Sequence, residues 1–131
     1  MNPLIEKVVT TLEGHDSIRV AFLFGSTASG ADRKDSDLDV GVASHGELSA
    51  AQKLSLMDDL AVATGRPVDL VDLWSASPVI LAQVMTNGSC IIKKDTALFA
   101  ALLKKLWYNQ ADLMPNIDLI LRKRREKFLR G

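Results

Sequence analysis

Residues 18–43 set two short apolar runs on either side of a polar one. The run 18–24 (IRVAFLF) is continuous enough to be a buried strand, and it leads straight into Gly25-Ser26. Residues 27–36 (TASGADRKDS) are small and polar, hence a loop, and residues 37–43 (DLDVGVA) alternate well enough for a second strand. The rest of the chain supplies helices and further strands. Residues 3–13 carry Leu4, Ile5, Val8, Val9 and Leu12 at helical spacing, with Pro3 suited to a first turn and Gly14 a natural stop. Residues 49–64 form an amphipathic helix with Ser49 as a candidate N-cap and Gly65 as its end. Residues 67–73 (PVDLVDL) read as a third strand, 78–86 as a short proline-opened helix and 89–93 as a fourth strand. From Asp95 the chain is helical in character, and Pro115 breaks that stretch into two. The order predicts an α/β (α+β) fold: a small mixed sheet of about four strands flanked by helices.

A chain of 131 residues is enough for one domain with one core, here 1–131, with a core over about 15–95 and C-terminal helices over about 96–130. With 47% hydrophobic and 24% charged residues, the composition is that of a globular protein and argues against disorder. The apolar stretches are too short to span a bilayer, and Met1-Asn2-Pro3-Leu4 has no basic start, so no membrane association and a cytoplasmic location are expected. Cys90 is the only cysteine, and its apolar neighbours Ile91 and Ile92 suggest a buried position. Neither His15 nor His45 has a partner at metal-ligand spacing, which disfavours a zinc site. Residues 122–130 (RKRREKFLR) hold six Lys or Arg and one Glu, yet the whole chain is neutral. The basic segment reads as a solvated helix face, and direct nucleic-acid binding is not expected.

The chemistry concentrates in residues 25–39. Gly25 allows a tight turn and a close approach to the main chain, whose N–H groups can hold phosphate oxygens with the Ser26 hydroxyl. Asp37 and Asp39 are two apart on a strand and therefore share a face. Two carboxylates side by side repel each other, and a divalent cation is the simplest compensator. Mg²⁺ favours a few carboxylates together with phosphate oxygens. A third acid comes from the apolar run 68–73, where Asp69 and Asp72 are three apart and face opposite sides. Only one can join the Asp37/Asp39 face. An acid in a buried strand is costly unless paired or metal-bound. Asp69, nearer the middle of the run, is preferred; Asp72 is either the alternative or a strand-end residue facing solvent.

The spacing of Gly25, Ser26, Asp37 and Asp39, in a strand–turn–strand context followed by a hydrophobic-Asp-hydrophobic strand, resembles the signature of the DNA polymerase β-type nucleotidyltransferase superfamily. In size the chain is similar to the minimal nucleotidyltransferases, many of which are antitoxins encoded beside a HEPN-domain ribonuclease toxin. The resemblance covers residues 15–95 best. It implies a nucleotidyltransferase that uses ATP and two Mg²⁺ ions held by Asp37, Asp39 and Asp69. Gly25 and Ser26 would bind the nucleotide phosphates, and AMP would pass to a hydroxyl, a tyrosine in the toxin. It also implies a cognate HEPN-family toxin as partner.

Other charges are less decided. Arg33 and Lys34 read as solvated loop residues; Lys53, Arg66, Lys93 and Lys94 are possible phosphate or acceptor contacts. Leu98, Phe99, Leu102, Leu103, Leu106 and Trp107 form an apolar helix face suited to the core. Two other functions compete: adenylylation of a small molecule, for which the chain lacks room for an acceptor domain, and an antitoxin that acts by binding alone.

Overall fold

The computed structural model describes residues 2–25 and 36–109. Helix α1 (Pro3–Glu13) starts where the Asn2 side chain accepts the Leu4 N–H at 2.8 Å and Pro3 needs no partner for a missing one. Strand β1 (Val20–Phe24) follows, then β2 (Leu38–Ala43). Helix α2 (Ala50–Thr64) opens on a capping box: Ser49 Oγ accepts from Gln52 N at 3.1 Å, and the Gln52 side chain accepts from Ser49 N at 2.8 Å. It ends at Gly65, whose φ of 70° is the left-handed cap that glycine adopts without strain. Strand β3 (Val68–Asp72), helix α3 (Pro78–Asn87), strand β4 (Ser89–Lys93) and helix α4 (Thr96–Asn109) complete the described chain. Ser77 and Asp95 cap α3 and α4 by accepting the N–H of Ile80 and Leu98.

The four strands form one mixed sheet in the order β3-β2-β1-β4. β1 is antiparallel to both β2 and β4, while β2 and β3 are parallel, joined by the crossover helix α2. Strand alternation gives the sheet two apolar faces. Ala21, Leu23, Val40 and Val42 meet Val8 and Leu12 of α1 and Leu56 and Leu60 of α2. Val20 and Phe22 meet Leu81, Val84 and Met85 of α3 and Leu98, Leu102 and Leu106 of α4. Among the described residues no helix is long and apolar enough to cross a membrane.

The element order agrees with the sequence expectation, with strands a residue or two shorter at their ends. Two expectations need correction. Cys90 is exposed rather than buried, because β4 is an edge strand and the position opposite Phe22 is left uncovered; its thiol donates to the Ile92 carbonyl at 3.4 Å. Trp107 is 49% exposed, because the α4 stripe that meets the core runs through Leu98, Leu102 and Leu106. The second C-terminal helix, Pro115 and the basic segment 122–130 lie outside the described residues.

Candidate active site

Three carboxylates meet at one end of the sheet because of strand register. Phe24, the last residue of β1, pairs with Asp39 of β2, and Asp39 pairs in turn with Asp69 of β3. Directly paired residues on neighbouring strands point to the same face. Asp37 precedes β2 by one residue and stands two before Asp39, on that same side. The structure therefore brings together Asp37, Asp39 and Asp69, the three acids expected from sequence. Asp37 and Asp69 are exposed and Asp39 is half-buried between them.

Gly25 closes the group from the β1 side. Its φ of 69° is in the left-handed region, and a Cβ there would fall on the Asp39 carboxylate oxygen. Glycine is thus required twice at this position, for backbone conformation and for space. Ser26, Arg33 and Lys34 lie outside the described residues. Among the four other cations, only Arg66 is at this end of the sheet, next to Pro67, whose carbonyl accepts the Leu38 N–H at 2.8 Å. Lys93 pairs with Val20 at the opposite end, its ammonium 4.8 Å from the Phe99 ring centre. Lys94 donates its N–H to the Arg19 carbonyl there, and Lys53 belongs to α2 on the other face.

The electrostatics follow from this crowding. Burial raises the Asp39 carboxyl above its ordinary value, and the charges of Asp69 and then Asp37 raise it further, as does a hydrogen bond with Asp69. The donor set of the group is entirely oxygen, which suits a hard divalent cation such as Mg²⁺. Among the described residues, no three or more His, Cys, Asp or Glu side chains stand as a group that could by itself hold a metal ion. A cation beside these carboxylates would complete its shell with water and phosphate oxygens, the usual habit of Mg²⁺.

Asp72 corrects the sequence reading. It is 4% exposed, not a solvent-facing strand end. One of its oxygens accepts from Leu48 N at 2.7 Å and the other from Trp74 N at 3.0 Å. The rule that a buried acid must be paired holds, but it applies to Asp72, while the acid in the cluster is the exposed Asp69. The alternation of β3 was legible; the loop amides that come to meet Asp72 were not.

A glycine turn beside a carboxylate cluster at the edge of a small mixed sheet is the architecture of a nucleotidyltransferase. Residues 6–97 match the polymerase beta, nucleotidyltransferase family, and the chain belongs to that family. It is 33% identical over 117 residues to the protein adenylyltransferase MntA of Shewanella oneidensis, a match covering 87% of this chain and 84% of that protein. Among solved structures, a chain of a toxin–antitoxin complex with AMP-PNP is similar with a TM-score of 0.69 and 30% identity, covering 89% of this chain and 98% of that one. A chain from a complex of tri-AMPylated Shewanella oneidensis HEPN toxin with MNT antitoxin gives 0.63 and 29%, covering 90% and 96%.

Proposed function

We propose that this chain is an antitoxin that works as a protein adenylyltransferase, moving AMP from ATP to a tyrosine hydroxyl of a cognate HEPN-family toxin. The observation that carries the reading is the register pairing of Asp39 with Asp69, with Asp37 two residues away and Gly25 against Asp39. The relatives support the rest: one is a protein adenylyltransferase, one structure holds an ATP analogue and another holds an AMPylated toxin. The whole chain, 1–131, serves as a single catalytic domain, and its use of ATP sets the reaction in the cytoplasm.

Asp37, Asp39 and Asp69 are the residues that would hold Mg²⁺, two ions in the full complex. When bound, such ions neutralise triphosphate charge and lower the pKa of an acceptor hydroxyl. The chain's own part is positioning. Gly25 leaves main-chain N–H groups open to phosphate oxygens, and Ser26 adds a hydroxyl. Asp69, exposed on the edge strand, is reachable by an acceptor side chain and takes the hydroxyl proton. The acceptor oxygen bonds to the α-phosphorus as the bond from that phosphorus to the bridging oxygen breaks, and pyrophosphate leaves.

The test is transfer to the cognate toxin. The protein is incubated with labelled ATP, Mg²⁺ and the toxin encoded beside it, and the toxin is then weighed by mass spectrometry. A mass gain of one or more AMP units on a tyrosine, absent with chelator and absent with the Asp37→Asn/Asp39→Asn variant, is the expected result. Toxin neutralised by that variant as fully as by wild type, with no mass gain in either case, would make the protein an antitoxin that acts by binding alone.

A further inference from the structure

The acid that stays out of the cluster stands at the opposite end of the β2–β3 pair. Asp72 is paired with Val42, three register positions from Asp39 and Asp69. Its two oxygens take the Leu48 and Trp74 N–H groups, the Trp74 indole N–H donates to the Ser44 carbonyl, and Leu73 N donates to the Val42 carbonyl at 2.9 Å. The Leu48 and Ser44 contacts tie residues 72–74 to the 44–48 segment that leads from β2 into α2, the Leu73 contact ties them to β2, and the Trp74 N–H bond, internal to 72–74, fixes the Asp72 carboxylate.

β3 needs such a tie more than the two inner strands do. It lies at the edge of the sheet, with β2 as its one neighbour. Its apolar residues fall on both faces: Val68 and Leu70 pack on one cluster and Val71 on the other. Register is well specified where only one face is apolar, because a slip by one residue then exposes the apolar set. Here burial alone discriminates weakly. A slip by one would swap Asp69 for an apolar neighbour beside Asp39, and it would pull Asp72 off the Leu48 N–H and the Trp74 indole off the Ser44 carbonyl.

We propose that Asp72 is a positioning residue for the carboxylate site: by holding β3 in register on β2, it keeps Asp69 beside Asp39. The proposal rests on Asp69 being the third carboxylate of the site. Asp72 touches neither substrate nor metal and acts through the strand.

The test is a double-mutant cycle on the full chain, read by Mn²⁺ binding in the presence of AMP-PNP (electron paramagnetic resonance) and by AMP transfer to the toxin. Asp72→Asn keeps the size of the side chain but turns an NH₂ group toward one of the two N–H donors. It is expected to weaken Mn²⁺ binding several-fold and to raise the Mg²⁺ needed for half-maximal transfer. Asp69→Asn is expected to weaken Mn²⁺ binding at least as much. The combination should bind no more weakly than Asp69→Asn alone, because a misplaced ligand already removed cannot be lost again. Wild-type Mn²⁺ binding in Asp72→Asn with Asp69→Asn impaired, or effects that multiply in the double variant, overturns this proposal alone. Wild-type binding in Asp69→Asn, or none in the wild-type protein, overturns the third-carboxylate reading and this proposal with it. Should Asp72→Asn fail to fold, Trp74→Phe removes the indole bond to Ser44 from the same tie. It is expected to shift Mn²⁺ binding in the same direction by a smaller factor, and wild-type values there count against the proposal.

Discussion

Asp69 and Asp72 are the same residue on the same five-residue strand, and the fold treats them in opposite ways. Asp72 is buried, with both oxygens satisfied by main-chain N–H groups. Asp69 is exposed and set against two more carboxylates. The first is an acid the fold has neutralised by hydrogen bonds. The second belongs to a group whose like charges oppose one another. The sheet thus has a settled end, where loop and strand are tied together, and a poised end, where three carboxylates crowd one another.

The sharpest way to break this contrast is to change one acid at each end. Asp39→Asn preserves volume and removes a charge that Asp37 and Asp69 oppose. We expect AMP transfer to fall by at least about 100-fold, as when a catalytic metal is misplaced, with thermal stability in chelator unchanged or slightly raised. Asp72→Asn should instead lower stability by about 1–3 kcal/mol, since a buried N–H loses its acceptor. Matched loss of stability in the two variants, followed by thermal melts, would show that the two ends do not differ in kind.

Much of this division is visible in the sequence, and the part that is not has a specific cause. Helix limits are legible because Pro3, Ser49, Gly65 and Pro78 act locally on the first or last turn. The pair Asp37/Asp39 is legible because alternation is also local. That Asp69 rather than Asp72 joins them follows from the register of β3 on β2, a contact between distant segments that spacing alone does not fix. Asp69 does stand beside Asp39, but not as a buried acid in an apolar strand: the buried acid is Asp72. Cys90 was misjudged for a related reason. Its neighbours are apolar, yet exposure depends on which strand ends at the sheet edge.

Gly25 tests the poised end from its neighbour. Gly25→Ala puts a side chain at a φ of 69° and a methyl group onto the Asp39 carboxylate. The backbone alone should cost about 1 kcal/mol. The larger consequence is for geometry, because Asp39 must turn away from its place beside Asp69. Transfer should fall about 10-fold or more at a stability loss too small to explain it, since a displacement near 1 Å already costs about that much in a positioned site. Activity that falls only in proportion to the folded fraction would mean that Gly25 serves the turn and not the carboxylate.

The smallest expected effect measures the cost of charging Asp39, set by burial first and by the neighbouring carboxylates second. The Asp39 carboxyl titrates above its ordinary value in the folded protein. A group raised in this way stabilises the fold fully below its unfolded value, and that contribution is lost as pH rises through the folded value. In chelator, wild type and Asp39→Asn should therefore have a similar margin of stability in acid. Toward neutral pH the variant should gain on wild type, because wild type alone acquires a charge that is partly buried and opposed by Asp69 and Asp37. Asp39 is half-buried and close to water, so screening holds the difference to the order of 1 kcal/mol or less. Added Mg²⁺ with AMP-PNP should then reverse the order at neutral pH, stabilising wild type by mass action and leaving the variant nearly unchanged. Paired melts from acid to neutral pH measure this directly. A difference independent of pH, or one that grows toward acid, would mean that neither burial nor its neighbours make Asp39 costly to charge and that the poised end of the sheet is as settled as the other.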